Sequence, residues 1–293
     1  MIRFATVLQS HWDWRAAGNF VLGGAGSSLL AWSALAALGG SVSPWPVLLA
    51  LALVGAGLVC VWLEIGRPWR ALNVFRHPQR SWMTREGLVA TLVFALGFGA
   101  VITDSVALLI AAGVAGLGFL YCQAHILAAS KGVPAWREPA VVPLIGVTGL
   151  AEGCALLALF VAVGGARVAW VPWTLAALAL LRTFAWRRYR GRLATSGAPA
   201  TTQSRLARID PLPVVGGWVA AALAVGAALA PAPADAVLLP LAGFAAVIGG
   251  WAMKFTMVTR AAHLQGYAFG RLRRGHPLDK ARVPANPPPR TTR

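Results

Sequence analysis

Charge is scarce in this sequence. Only 12% of its 293 residues are Asp, Glu, Lys or Arg, about half the share of a soluble domain. Acids are rarer still, at 9 against 26 Lys and Arg, which gives a formal net charge of +17. With 58% apolar residues, a water-soluble fold of this size would leave much apolar surface uncovered, so a soluble enzyme is excluded. The basic excess does not point to nucleic acid, because the cations lie between long apolar runs. Cysteine is limited to Cys60, Cys122 and Cys154, with no C-x-x-C, so no iron–sulfur cluster is expected in this chain. Of the five histidines, only His125 and His263 fall near apolar runs. Both lie toward the same ends of those runs, an arrangement that does not provide facing haem ligands.

The apolar runs are plentiful. A helix crossing the hydrocarbon core needs about 20 mostly apolar residues, and eight segments qualify: 17–38, 45–64, 87–103, 105–128, 139–163, 168–186, 213–230 and 236–259. Gly and Pro mark the turns at 39–44 and 231–235. The expected fold is an all-α, polytopic bundle of eight transmembrane helices in four hairpins, with both termini on one side. The bundle occupies 1–270 and is followed by a basic, Pro-rich tail over 271–293. That tail and the polar stretch Ser196–Ser204 read as disordered. No cleavable signal peptide is expected, so the first span stays as an anchor.

Orientation follows the cations. On this count 24 of the 26 Lys and Arg fall on one face, which places that face and both termini in the cytoplasm of a bacterial inner membrane. Ten of the 13 Trp lie in loops or near span ends, as an interfacial belt requires.

Polar groups in or beside spans are costly and therefore mark function. His11, Asp13, Arg15 and Asn19 open the first span. Glu64, Arg67 and Arg70 close the second, Arg85 and Glu86 open the third, and Tyr121, Gln123 and His125 close the fourth. These ends share one polar mouth on the cytoplasmic face. Glu64, Arg67, Arg70, Arg85 and Glu86 read as an ion-pair network or as a docking surface for an acidic partner. Glu152 stands alone at mid-span as a protonated carboxyl or a step in a proton route. Lys254 lies about 7 Å from the inner end of its own span, too shallow for a direct pair with Glu152.

The run Gly66-Arg67-Pro68-Trp69-Arg70-Ala71-Leu72-Asn73-Val74-Phe75, then Ser81-Trp82-Met83-Thr84-Arg85-Glu86, resembles the DmsC-like anchor subunits of molybdoenzymes, relatives of NrfD. Trp12-Asp13-Trp14-Arg15-Ala16-Ala17 with Asn19-Phe20, Pro134-Ala135-Trp136, Lys254-Phe255 and Thr259-Arg260-Ala261-Ala262 extend the likeness across 11–270. A fainter likeness is to the membrane subunit of phenylacetyl-CoA:acceptor oxidoreductase. The resemblance implies a haem-free anchor for anaerobic respiration that binds a quinone or quinol, menaquinone or ubiquinone. It further implies an iron–sulfur partner subunit and a molybdenum or tungsten bis-pterin catalytic subunit. His11, Asp13, Arg15, Asn19, Tyr121, Gln123 and His125 would then face the quinone. Familiar members of that family dock their partners on the outer face, whereas the charge count puts the mouth inside. The competing class is a secondary transporter of a small solute, which would place its polar groups at mid-membrane.

Overall fold

A computed structural model describes residues 3–4, 6–38, 44–64, 79, 81–164, 168–264 and 267–268. The chain is mostly helical. Its first long helix is α1 (Trp14–Gly18), a π-helical turn (Asn19–Gly23) and α2 (Gly24–Ala37) in continuity. There follow α3 (Pro44–Glu64), α4 (Trp82–Thr103), α5 (Val106–Ala129), the short α6 (Pro134–Arg137) and α7 (Val141–Val163). The rest comprises α8 (Trp170–Thr195), α9 (Ala200–Ala207), α10 (Pro211–Leu229) and α11 (Ala234–Thr259).

Among the described residues, seven helical segments are long and apolar enough to cross a membrane. They correspond to seven of the eight expected spans. The remaining one, α8, is a 26-residue helix made less apolar by Arg182, Arg187, Arg188, Arg190 and Arg192. It packs against α7 and α10 all the same. It runs nine residues past the expected boundary because arginine is a good helix former wherever its head can reach water. Ser196–Ser204 is not wholly irregular, since α9 begins at Ala200 and seats Thr202 and Leu206 in the core. The segment 69–76 and the tail 271–293 lie outside the described residues.

Helix ends follow local chemistry. Asp13 caps α1 by accepting from the Arg15 N–H at 2.8 Å, and Ser81 caps α4 by accepting from the Thr84 N–H at 3.3 Å. The Ser81 cap starts α4 five residues before the expected span. Asp104 ends α4 in the left-handed region (φ 50°), a conformation that Asp tolerates better than most side chains.

Small residues let these helices approach closely, as in membranes generally. Helix α2 packs against α3, α5 and α7, while α11 packs against α10 and α7. A Cβ at Gly26 would lie 2.6 Å from the Ala50 carbonyl oxygen and 2.8 Å from Leu53 Cβ, so α2 and α3 are in backbone contact there.

One apolar cluster fills the spanning part of the bundle, around Leu29, Val54, Val93, Phe119, Leu157 and Leu175. A second lies at one end and contains Trp136, Tyr189, Trp186 and Met257. That end is laced by hydrogen bonds from Trp136 Nε1 to the Met257 carbonyl (2.9 Å) and from the Tyr189 hydroxyl to the Ala135 carbonyl (2.7 Å). Two small antiparallel ribbons close it. β1 (Arg3–Phe4) pairs with β4 (Tyr267–Ala268), and β2 (Val7–Leu8) pairs with β3 (His263–Leu264). Buried Gln9 locks the N-terminal segment down, donating to the carbonyls of Trp12 (2.6 Å) and Val258 (3.2 Å).

Replacing Gly26 with Ala should therefore destabilise the bundle by about 1–3 kcal/mol. Gly146→Ala, where nothing lies within 4 Å of the added carbon, should be neutral. Thermal unfolding of the two variants in one mild detergent checks this. Equal melting temperatures would contradict the close α2–α3 contact.

Candidate functional site

The ribbon-bearing end collects the polar helix termini. The Arg15 Nη1 donates to the Leu63 carbonyl at 2.8 Å, joining the start of α1 to the end of α3. Arg15 also pairs with Asp13 at 2.8 Å on the partly exposed surface. Its hydrogen bonds hold the Asp13 carboxyl below the usual carboxylate range. An open cavity of about 320 Å³ between the N-terminal segment and the end of α11 is lined by Asp13, Trp12, Trp14, Phe255 and Arg260 among others. His11 is exposed, and its backbone N–H donates to Gln9 Oε1 at 2.8 Å.

Asn19 behaves differently from its chain neighbours. It begins the π-helical turn, and such turns recur at functional sites. Its side chain is buried, and Nδ2 donates to Glu86 Oε1 at 3.0 Å. The Gln123 Nε2 donates to the Asn19 carbonyl at 2.8 Å. Three helices thus contribute Asn19, Glu86 and Gln123 to one buried polar knot. The seven expected quinone-facing residues therefore divide: Asn19 and Gln123 enter the knot, while Asp13 and Arg15 form a local surface pair.

The expected grouping of Arg85 with Glu86 is not what the structure holds. Adjacent helical residues point about 100° apart. Glu86 turns inward, where its neighbours are Asn19 and Gln123. Arg85 turns outward, stacks over the Trp82 ring at 4.3 Å and donates to the Gln79 carbonyl at 2.9 Å. Glu64 ends α3, half-buried, on the same side as the Arg15 contact. Arg67 and Arg70 lie outside the described residues.

Trp82, read from sequence only as an interfacial tryptophan within a family motif, joins the two helices α4 and α5 through ring contacts. Its ring lies 4.5 Å from that of His125 and 5.7 Å from that of Tyr121, and the last two are 4.1 Å apart. The His125 Nδ1 is 2.9 Å from the Tyr121 carbonyl, and Tyr121 is exposed. Tyr121 and His125 are one turn apart on α5, and that spacing is the signal the sequence offers.

The deeper part of the site corrects a further expectation. Lys254 and Glu152 pair directly, Nζ to Oε2 at 2.6 Å, and both are 0% exposed. Depth counted along the helix axes separates them, but side chains lean toward their own helix N-terminus. Helix α7 begins at the ribbon-bearing end and α11 finishes there, so Glu152 leans back toward that end while Lys254 leans away from it. The two converge.

Gly24 connects the pair to the knot. A Cβ there would lie 2.7 Å from Lys254 Nζ and 3.0 Å from Gln123 Oε1, so those two atoms are within about 6 Å of each other. Beyond Glu152, buried Arg182 is near enough to act on it electrostatically, and its Nη1 donates to the Ala246 carbonyl. From sequence, Arg182 counts only as an orienting charge. The result is a buried chain running Glu86, Asn19, Gln123, Lys254, Glu152, Arg182, with alternating formal charge. Asn19 Oδ1, Gln123 Oε1, Glu152 Oε1 and Arg182 Nη2 have no hydrogen-bond partner among the described residues, the situation in which buried water enters. No group of three or more His, Cys, Asp or Glu among the described residues could hold a metal ion.

No protein-family model matches the chain. It is similar to one of the subunits of the sulfite dehydrogenase of Allochromatium vinosum, with 30% identity over 132 residues. The match covers 39% of this chain, and the chain spans about two-fifths of that relative (41%).

Lys254→Met should destabilise the protein by about 3–5 kcal/mol, because it leaves Glu152 buried without its cation. Lys254→Met combined with Glu152→Leu should recover most of that loss. Unfolding of both variants in detergent tests the pair; a double variant no more stable than the single would contradict it.

Proposed function

We propose that this chain is the multi-pass membrane subunit of an oxidoreductase, with α8 as its eighth crossing and both termini in the cytoplasm. On this reading it binds quinone or quinol beside the Trp82–Tyr121–His125 platform and exchanges electrons with an iron–sulfur partner. That partner would in turn serve a molybdenum or tungsten bis-pterin catalytic subunit. Similarity to the sulfite dehydrogenase protein and a polytopic helical fold support the coarse reading.

The observation that carries the quinone assignment is the Trp82–Tyr121–His125 ring cluster, with Tyr121 exposed, on the same two helices, α4 and α5, that carry Glu86 and Gln123 of the buried knot. Quinone reduction takes up protons with its electrons, so a flat ring needs apolar walls, partners at its carbonyls and a proton source close by. Trp82, Tyr121 and His125 would offer the walls and the first partners, and Glu86, hydrogen-bonded to Asn19, lies one turn after Trp82 on α4. The chain from Gln123 through Lys254 to Glu152 extends that proton store toward mid-membrane. Asp13 at the open cavity by the N-terminal segment, together with His11, Arg15, Glu64 and Arg85, supplies polar surface where a docked protein would bring its cluster within reach. Surface charges of this kind steer association and lose effect at high salt.

The buried Lys254–Glu152 pair also favours a transporter, whose ion sites lie near the midplane. Measuring quinone-coupled electron transfer by the assembled complex separates the two. Asn19→Ala and Tyr121→Phe should each lower turnover by about tenfold or more while leaving assembly intact. Wild-type rates for both would remove the quinone assignment, and solute uptake by the chain alone in liposomes would establish the transporter.

A further inference from the structure

A second basic feature lies apart from the polar chain, where α8, α9 and α10 meet. An open cavity of about 520 Å³ is lined by Trp186, Arg187, Arg190, Asp210, Val214 and Val215 among others. Two of its charges neutralise each other. Arg190 pairs with Asp210 at 3.2 Å and donates from Nη1 to the Gln203 carbonyl at 3.1 Å, and buried Trp186 donates to the same carboxylate at 2.8 Å. Asp210 thus accepts from both Trp186 and Arg190, and Arg190 is held in place. Arg187 sits one turn earlier on the same face of α8. It is exposed and has no side-chain partner among the described residues, leaving the cavity one uncompensated cation.

The rest of the surroundings indicates what would neutralise it. From the cavity, α10 continues as an exposed apolar column of Leu212, Val215, Trp218 and Val219, spaced as one face of a helix. This helix belongs to the segments long and apolar enough to cross a membrane. A soluble acidic protein could meet Arg187 but not that column, which faces hydrocarbon. A single molecule with an anionic head and two apolar tails meets both. We propose that this cavity is a binding site for one anionic phospholipid, its phosphate against Arg187 and Arg190 and its acyl chains along Val215, Trp218 and Val219. Basic pockets between membrane helices bind such headgroups, each nearby cation contributing about a five-fold change in affinity. The site requires only that α10 faces lipid and does not depend on the quinone assignment.

The full chain, purified in mild detergent and stripped of lipid, tests this. Phosphatidylglycerol should raise the melting temperature of the wild type and remain bound in native mass spectrometry. Phosphatidylcholine and inorganic phosphate should do neither. Arg187→Glu should abolish the phosphatidylglycerol shift, and Arg187→Gln should weaken retention about five-fold. In the unmutated chain, phosphatidylglycerol should also protect Arg187 from phenylglyoxal, a readout that no folding defect can mimic. The proposal is overturned if Arg187→Glu responds as the wild type does or if phosphatidylcholine works equally well. It also fails if inorganic phosphate reproduces the shift (a free-anion site), or if Arg187→Cys cross-links to another protein in the assembled complex.

Discussion

The rest of the site depends on a buried ion pair. Lys254 and Glu152 are fully enclosed, 2.6 Å apart, inside the bundle. Neither charge alone would be tolerable at that depth, and together they still forgo water. A hydrophobic pair of similar volume would hold the helices at least as well, so packing alone does not account for two charges here. What the pair does supply is continuity. Lys254 reaches across the small surface of Gly24 toward Gln123, and Glu152 lies within the field of Arg182. Six buried polar side chains from the π turn, α4, α5, α7, α8 and α11 thereby stand as neighbours in series, hydrogen-bonded within the knot and within the Lys254–Glu152 pair.

That system starts toward one end of the bundle. The Asn19–Glu86–Gln123 knot lies about two turns in from the ribbon-bearing end, on helices that also carry the Trp82, Tyr121 and His125 rings. Toward the opposite end the helices are lined by Leu29, Ala34, Ala158 and Leu175, which offer no further ionisable step. The proposed chemistry therefore belongs to one membrane face. The second apolar cluster under α6, α9 and the ribbons keeps that face rigid. The π turn at Asn19 sets its side-chain amide against Glu86 and its backbone carbonyl against Gln123, and a regular helix would space the Asn19 and Gly23 contacts differently.

Much of this is legible in composition and spacing. Long uncharged runs separated by Gly and Pro mark the helices because lipid requires every backbone group to be satisfied internally, and seven of the eight runs meet the criterion in the structure. Tyr121 and His125 can be read as a pair because one turn of helix separates them, whereas Gln123, midway between, points to the other side of α5 and into the knot. The Lys254–Glu152 pair is not legible by counting residues from the span ends, since that count ignores which way a side chain leans on helices running in opposite directions. Arg85 and Glu86 look like members of one charged loop because sequence adjacency conceals the rotation between neighbouring helical positions. Arg182 is hidden among the arginines that end α8, where all of them seem to serve orientation. Trp82 stands as one interfacial tryptophan among ten, and only its stacking against His125 distinguishes it.

The central claim is that a quinone ring occupies the platform formed where α4 begins and α5 ends. Labelling the assembled complex with a photoreactive quinone analogue, and mapping the modified peptides, tests it most directly. The account predicts adducts on the peptides that carry Trp82, Tyr121 and His125, suppressed by excess unlabelled quinone. Competable labelling confined to the opposite end, around Trp173 and Leu239, would contradict it.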